Sequence, residues 1–256
     1  MVKTMDKALS EISMRELAQQ GKFEELLHTA EKLAQEYPDW HIAWHYVAVA
    51  HGLQGNHERA ISNFIKALEI KPHSVKALYG LSVSFHALKM YEEAISCLLK
   101  HRELHGNEFK ILFNLGVNYS ELHMIKEAIE SFEEALKLQP ENEETLFCLA
   151  DCYRIEENYE KAIDLFLKSL QINPQNILVI HNTAVCYKYL NNNERAIEYY
   201  KKVLALDSGF FRAIRNLSEI YIEIGAVDKA HVLIKNANTE HPHSKEISDL
   251  YTKICN

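Results

Sequence analysis

The sequence has few of the residues that interrupt helices. Gly occurs 8 times and Pro 5 times in 256 residues, roughly 3% and 2% against usual frequencies of about 7% and 5%. This scarcity disfavours a β-sandwich or barrel, whose many turns need both residues, and favours helices joined by short loops. Hydrophobic residues make up 47% of the chain, which is enough for a sizeable core, so a disordered chain is not expected.

Other absences disfavour whole classes of partner. Basic residues are not in excess: 28 Lys and Arg stand against 36 Asp and Glu, a net charge of −8, which is the wrong sign for generic binding to nucleic-acid phosphates. No run approaches the roughly 18 apolar residues of a membrane span, and the first residues contain no signal-peptide core. The five cysteines are odd in number and spaced like helix-face residues, which favours a reducing compartment. We therefore expect a cytoplasmic protein that neither binds nucleic acid nor inserts into membranes.

Motifs for catalysis or cofactor binding are also lacking. The chain has no Gly-rich phosphate loop, nucleophile elbow or zinc-protease motif. The pairs His41/His45 and His101/His105 have the i, i+4 spacing of two metal ligands on a helix, but neither has a third ligand at a recognisable spacing. We therefore expect no metal, no cofactor and no catalytic residue, and interpret these histidines as ordinary polar or groove residues.

The prolines reveal an internal repeat. All five lie on one lattice of period 34: Pro38, Pro72, Pro140, Pro174 and Pro242. The two lattice points without proline hold Gly106 and Ser208, which are also loop residues or poor helix formers. Writing the chain in rows of 34, starting at residues 7, 41, 75, 109, 143, 177 and 211, brings further columns into line. Self-similarity at such a period is typical of repeat architectures.

The columns of these rows predict two helices in each repeat. Columns 4, 7, 8 and 11 are largely apolar or small and have the spacing of one helix stripe, and columns 20, 24 and 27 form a second stripe. Column 20 is small in six of seven rows, as two closely crossing helices need: Leu26, Ala60, Ala94, Ala128, Ala162, Ala196 and Ala230. The turn between the helices often holds Gly or Asn: Gly21, Gly55, Asn191 and Gly225. One such pair cannot bury its apolar stripes alone, so successive pairs must stack.

The pattern resembles the tetratricopeptide repeat family over residues 7–244. The 34-residue period, the Tyr, Ala, Phe, Ala and Pro columns and segments such as residues 158–162 (NYEKA) carry the resemblance. It implies an all-α, right-handed superhelical solenoid of seven antiparallel helix pairs. Residues 1–6 are predicted to be an N-terminal tail. Residues 245–256 place apolar side chains on one stripe and polar ones off it, which predicts a C-terminal capping helix.

In the family that the chain resembles, the first helix of each pair lines a concave groove that contacts ligands. Columns 5 and 9 would give this groove an aromatic and aliphatic floor: His45, Val49, Tyr79, Val83, Phe113, Val117, Phe147, His181 and Val185. Column 6 adds amides able to pair with a peptide backbone: Asn114, Asn182 and Asn216. Cations collect late in the chain: Arg154, Lys188, Arg212 and Arg215. Two alternatives stay open, that the apolar columns only help neighbouring helices pack, and that the cations only pair with nearby carboxylates such as Asp151 and Glu219.

The sequence thus predicts a non-enzymatic scaffold or adaptor that binds a partner peptide or helix in its groove. The carboxylate clamp of cochaperones in this family is not expected, because Phe147 and Asp151 stand where that clamp has Lys and Asn. Two further hypotheses are a targeting or regulatory repeat domain of a larger enzyme, such as a glycosyl- or sulfotransferase, and a self-assembling homo-oligomeric scaffold. The identity of the partner is not encoded in any recognisable motif.

Overall fold

The structure, a computed structural model, describes residues 2–255, with side chains described for residues 6–254. Over that range the chain forms fifteen helices and no strand, which confirms the predicted all-α array of seven helix pairs and a final helix. The first helix begins at Val2, so residues 2–6 of the predicted tail are helical, since neither Gly nor Pro precedes residue 21. Met1 and Asn256, the outer ends of the predicted tail and capping helix, lie outside the described residues.

The chain divides into two compact units, residues 1–131 (unit 1) and residues 132–256 (unit 2). The helices of unit 1 are α1 (Val2–Gln19), α2 (Phe23–Glu36), α3 (His41–Leu53), α4 (His57–Ile70), α5 (Val75–Ala87), α6 (Tyr91–His105) and α7 (Phe109–Glu121). Helix α8 (Ile125–Leu138) contains the division. The helices of unit 2 are α9 (Glu143–Ile155), α10 (Tyr159–Ile172), α11 (Ile177–Tyr189), α12 (Asn193–Leu206), α13 (Phe211–Glu223), α14 (Val227–Glu240) and α15 (Lys245–Cys255).

The turn inside every repeat uses one left-handed residue. These residues have positive φ and are spaced by 34: Gly21, Gly55, Lys89, His123, Glu157, Asn191 and Gly225. The turns are closed by two backbone bonds, as at Glu157, where its N–H donates to the Arg154 carbonyl at 3.1 Å and the Asn158 N–H donates to the Tyr153 carbonyl at 2.9 Å. The Gly and Asn pattern in the sequence marked four of these seven positions.

The small column lies where the two helices of a pair meet. Its six alanines, from Ala60 to Ala230, are fully buried, so the backbones approach closely there. Clusters of larger apolar side chains lie beside them, including one with Phe64 and Leu81 in unit 1 and one with Tyr200 and Leu217 in unit 2. At the end of unit 2 the apolar stripe of α15 packs against Ile214 and Ile234 of the preceding pair. These contacts within each unit fix which side chains of the first helices remain accessible.

Candidate functional site

Four of the predicted groove residues line one cavity in unit 1. His45 and Val49 lie on α3, and Tyr79 and Val83 lie on α5. The cavity has a volume of about 610 Å³ and is completed by residues of α4, α6 and the start of α7. This volume is in the range of about 300–1,000 Å³ that is usual for ligand pockets. Columns 5 and 9 of two successive repeats therefore converge on what is called here the unit 1 cavity.

The floor of the unit 1 cavity depends on a glycine. Phe64 of α4 is buried, and its ring lies so near Gly80 that a Cβ at Gly80 would be 2.3 Å from the Phe64 Cζ atom. The ring of His45 packs against Phe64 with 5.5 Å between ring centroids. Val83, three residues after Gly80 on the same helix, is 42% exposed, so part of the apolar wall is accessible to a ligand.

Three histidines of the lining carry buried nitrogens without a partner. The Nδ1 atoms of His45, His57 and His101 are buried and have no hydrogen bond to any described residue. Burial, aided by the charge of Lys76, lowers the pKa of His45 to about 4. Burial also lowers the pKa of His101. The rings of His45 and His101 are therefore neutral at pH 7, and each has one N–H donor and one acceptor nitrogen to offer.

Charged residues lie at the edge of this cavity. Lys110 Nζ is 4.9 Å from the ring centroid of Tyr79, a cation–π distance, and 3.3 Å from Glu108 Oε2. Lys76 Nζ is 3.3 Å from Glu11 Oε1, outside the lining, and its side chain is 64% exposed. Both lysines of the lining are thus ion-paired, Lys110 with a carboxylate of the lining and Lys76 with a carboxylate outside it.

The predicted residues of the next first helix, α7, are not part of this lining. Phe113 stacks on Phe109 with 6.1 Å between ring centroids, and Val117 is partly buried. Asn114 Nδ2 donates to the Lys110 carbonyl at 2.6 Å. The side-chain amide of Asn114, which was predicted to bond to a peptide backbone, therefore already donates a hydrogen bond to its own helix.

The apolar groove positions of unit 2 make internal ring contacts. Phe147 lies 6.0 Å from Phe166, measured between ring centroids. His181 is buried between Tyr200 and Phe210, at 5.8 and 5.2 Å. Val185 packs against the hydrophobic cluster of unit 2. These three positions contribute to the packing of the unit.

A hydrogen-bond network on α9 and α11 engages several of the predicted polar residues. Asp151 Oδ1 accepts from Arg154 Nε at 2.8 Å and from Asn182 Nδ2 at 3.2 Å. The Asn182 Oδ1 atom lies 3.2 Å from His181 Nδ1. Asp151 therefore connects a predicted cation and a predicted amide of neighbouring repeats.

The other cations differ in how far they are neutralised. Lys188 Nζ donates to Glu219 Oε2 at 2.8 Å, and Arg215 Nε lies 3.6 Å from the second oxygen of the same carboxylate. Asn216 Nδ2 donates to the Tyr200 hydroxyl at 3.1 Å. Arg212 is exposed, and no ion pair joins it to a described residue. Of the four predicted charge partners, the other three are each paired with a carboxylate.

Two lining residues of the unit 1 cavity, which the groove prediction from columns 5 and 9 did not include, depart from the pattern of their own columns. His101 is 2% exposed and stands in column 27, where the other rows hold Leu33, Ala67, Ala135, Ser169, Val203 and Ala237. Gly80 stands in column 6, where three of the later rows hold Asn. Departures from a column are visible in the sequence, and both of these departures occur at the cavity.

The described residues were also compared with the requirements of a metal site, a membrane span and a reactive cysteine. Within residues 6–254 there is no group of three or more His, Cys, Asp or Glu side chains able to hold a metal ion. No helix in the described part of the chain is long and apolar enough to cross a bilayer. Cys152 and Cys186 are buried, as expected, and burial raises the pKa of Cys186 to about 12. The side chain of Cys255 lies outside the described residues.

Comparison with known families identifies the repeat. The family model described as anaphase-promoting complex, cyclosome, subunit 3 matches residues 19–101 and 121–203. A tetratricopeptide repeat model matches residues 188–254. The search of the curated proteins found no match.

Solved structures share the fold at low sequence identity. The tetratricopeptide-repeat protein YrrB, solved as having an unusual peptide-binding site, is 23% identical with a TM-score of 0.67, over 73% of this chain and 96% of that one. The C-terminal part of a repeat protein from Cytophaga hutchinsonii is 15% identical with a TM-score of 0.79, over 93% and 98%. A chain of the anaphase-promoting complex hetero-tetramer Cut9–Hcn1 is 18% identical with a TM-score of 0.63, over 96% and 48%. At these identities the likeness concerns the fold.

Proposed function

The chain belongs to the anaphase-promoting complex, cyclosome, subunit 3 family of tetratricopeptide-repeat proteins, and on that premise we propose that it is a non-enzymatic scaffold that binds a segment of a partner protein along its first helices. A general role in protein–protein interaction follows from the repeat fold. The finer proposal is that the binding surface includes the unit 1 cavity. The likeness to YrrB, whose structure has a peptide-binding site, supports a peptide segment as the ligand.

One observation carries this proposal. His45, Val49, Tyr79 and Val83, selected from two columns of the sequence, line a single cavity whose wall includes a valine with 42% of its surface exposed. Aromatic and aliphatic side chains around a concave site are what bury the apolar residues of a bound peptide. The equivalent positions of unit 2 are filled by rings such as Phe210 against His181. We therefore assign the main apolar contact to unit 1.

The proposal also assigns a contact with the partner to unit 2. Arg154 and Lys188 are each held by a carboxylate, while Arg212 is exposed. We propose Arg212 as the residue that contacts an acidic group of the partner. A cytoplasmic location belongs to the same proposal and is supported by the free thiols of the four described cysteines.

The test uses a charge placed in the cavity and the same charge placed elsewhere. Val83→Lys puts an ammonium group into the apolar wall, and Ile65→Lys puts one at a position of similar exposure, 43%, outside the lining. Tagged wild type and both variants are used to capture partners from the native lysate, and mass spectrometry quantifies them. A partner retained by wild type and Ile65→Lys but lost by Val83→Lys is then purified and titrated calorimetrically.

The expected result is a direct complex that Val83→Lys weakens by at least about tenfold. Circular dichroism of both variants checks that the helices are intact. If Val83→Lys binds every directly interacting partner as well as Ile65→Lys does, the binding surface lies elsewhere on the chain and the proposal is wrong.

A further inference from the structure

Two lining residues of the unit 1 cavity depart from the repeat pattern. His101 is a large buried side chain in a column that otherwise holds Leu, Ala, Ser or Val. Gly80 removes a side chain where later repeats have Asn. Packing explains the glycine, because the Phe64 ring occupies the space that a Cβ at position 80 would need. Packing does not require the histidine, since alanine at 101 would follow the pattern of the other second helices. Local departures of this kind are expected where a protein keeps a binding site.

Three histidines that line the cavity each have a buried nitrogen without a partner among the described residues. The Nδ1 atoms of His45, His57 and His101 are buried without a hydrogen bond to any residue between 6 and 254. An unpaired buried nitrogen is unfavourable, whereas a ligand that supplies the missing bond removes that penalty. The nitrogens therefore favour a ligand with a polar atom that reaches into the cavity.

The walls restrict the rest of the ligand. The rings of Phe64, Tyr79 and His45 and the side chains of Val49 and Val83 form an apolar, aromatic surround, which favours a flat ring. Lys76 and Lys110 disfavour an ammonium group, and because each of them already pairs with a carboxylate, Glu11 and Glu108, they offer little to a carboxylate or phosphate in the cavity. The lining of the cavity therefore fits an uncharged aromatic group best.

The polar atom of this ring must suit either tautomer of the histidines. A neutral imidazole nitrogen either donates or accepts, and a hydroxyl group can do both, whereas an indole N–H only donates. We infer that the unit 1 cavity is a subsite for one tyrosine side chain of the partner segment, with its hydroxyl bonded to the buried histidine nitrogens. This inference rests on the proposed function.

Two short peptides that differ by one oxygen atom test the inference. The probes are acetyl-Asp-Tyr-Asp-amide and acetyl-Asp-Phe-Asp-amide, titrated into the full chain labelled with 13C-histidine and followed through the ring resonances. We expect the tyrosine peptide to bind about tenfold more tightly, the value of one well-formed hydrogen bond. Its binding should shift resonances that are missing from the spectra of the His45→Phe or His101→Ala variants.

The variants are chosen to preserve the fold. His101→Ala restores the residue that Ala67 and Ala135 have in the same column, and His45→Phe introduces the residue that Phe113 and Phe147 have in theirs. Each should reduce the preference for tyrosine to less than about threefold. His181→Phe is the matched control, because His181 shares column 5 with His45 but lies outside the unit 1 cavity, and it should keep the preference.

Equal affinity for the two peptides, or no shift of the cavity histidines with either, overturns the tyrosine subsite. A preference that survives both His45→Phe and His101→Ala overturns it as well. These outcomes leave the proposed function to its own test, because partner loss in Val83→Lys does not depend on which side chain fills the cavity.

Discussion

The Phe64 ring occupies the space that any side chain at position 80 would need. A Cβ on Gly80 would lie 2.3 and 2.5 Å from two ring carbons of Phe64, closer than any van der Waals contact. Helix α5 therefore has a glycine in its interior, where glycine is less favourable than alanine. The glycine allows the Phe64 ring of the preceding helix, α4, to pack directly against the backbone of α5. Both Phe64 and Gly80 line the unit 1 cavity.

Gly80→Ala is predicted to destabilise the protein. The added methyl group must displace Phe64 or the helix, so the free energy of unfolding should fall by about 1–3 kcal/mol. Urea denaturation followed by circular dichroism measures the change. Gly52→Ala is the matched control: it is also a helical glycine of the cavity lining, but its Cβ would meet only the Ala60 Cβ at 3.8 Å. That variant should gain about 0.5–1 kcal/mol, and equal losses in both variants would contradict the prediction.

Lys89→Gly is predicted to stabilise the protein. Lys89 has φ 60° and occupies the turn position that glycine holds in three other repeats. Glycine removes the strain of a positive φ, and this gain should exceed the cost of the extra conformational entropy that glycine gives the unfolded chain. The free energy of unfolding should therefore rise by about 0.5–1 kcal/mol. Thermal unfolding is a suitable measurement.

The reverse change provides the comparison for this turn. Gly55 has φ 79° and no atom within 4 Å of a built Cβ, so Gly55→Ala introduces backbone strain without a steric clash. It should cost about 1 kcal/mol. A melting temperature that stays the same in both variants would show that the turns tolerate any residue.

The stability of the protein should fall as the pH decreases from about 6.5 to 4. Burial lowers the folded-state pKa of His45 from 6.5 to about 4, so in this window the unfolded chain binds a proton that the folded chain does not. The full contribution is present above pH 6.5 and is lost on acidification, with a size on the order of 3 kcal/mol. Lys76 and His41 lower this pKa, and Glu11 raises it.

His45→Phe removes this contribution and keeps an aromatic ring. Urea denaturation between about pH 7 and pH 4.5 should give a shallower dependence for the variant than for wild type. Burial also lowers the pKa of His101 and His181, so some dependence will remain. Parallel curves for the two proteins would refute the assignment to His45.

Asp151→Ala is predicted to weaken unit 2. The carboxylate holds both Arg154 and Asn182, and its side chain is only 30% exposed, so its loss leaves two polar groups without their partner. The cost should be about 1 kcal/mol, reduced from the value of a buried charged bond by solvent screening. Glu198→Gln removes an exposed ion-pair partner of Lys202 and should lower the melting temperature less; the opposite order would show that the network is not structural.

The repeat fold could be predicted from the sequence because its evidence is periodic. The proline lattice, the alanine column and the two helix stripes each recur several times, so single exceptions such as Gly106 or Leu26 do not obscure them. The turns at Lys89, His123 and Glu157 could not be predicted, because these residue types rarely adopt positive φ. The closing hydrogen bonds, which do not depend on side-chain type, impose that conformation.

The accessibility of the groove positions was less predictable. His45 and His181 share column 5, but His181 is covered by Phe210, while Ser74 stands at the position equivalent to Phe210 beside His45. The amide of Asn114 bonds to its own helix, which depends on its rotamer. The residue types in columns 5 and 9 therefore predicted four lining residues of the unit 1 cavity. Neighbouring rings and side-chain rotamers determined which of the other predicted positions remained accessible.

The seven left-handed turn residues share one backbone geometry at intervals of 34 residues. A cut after Glu157 and another after Asn191 would leave ends with the same local conformation, so removing the stretch between them rejoins the chain without a new loop. Recombination between such points changes the number of repeats by whole modules. Because the turns share this geometry, one deletion or duplication between two of them can change the number of repeats and leave every turn intact.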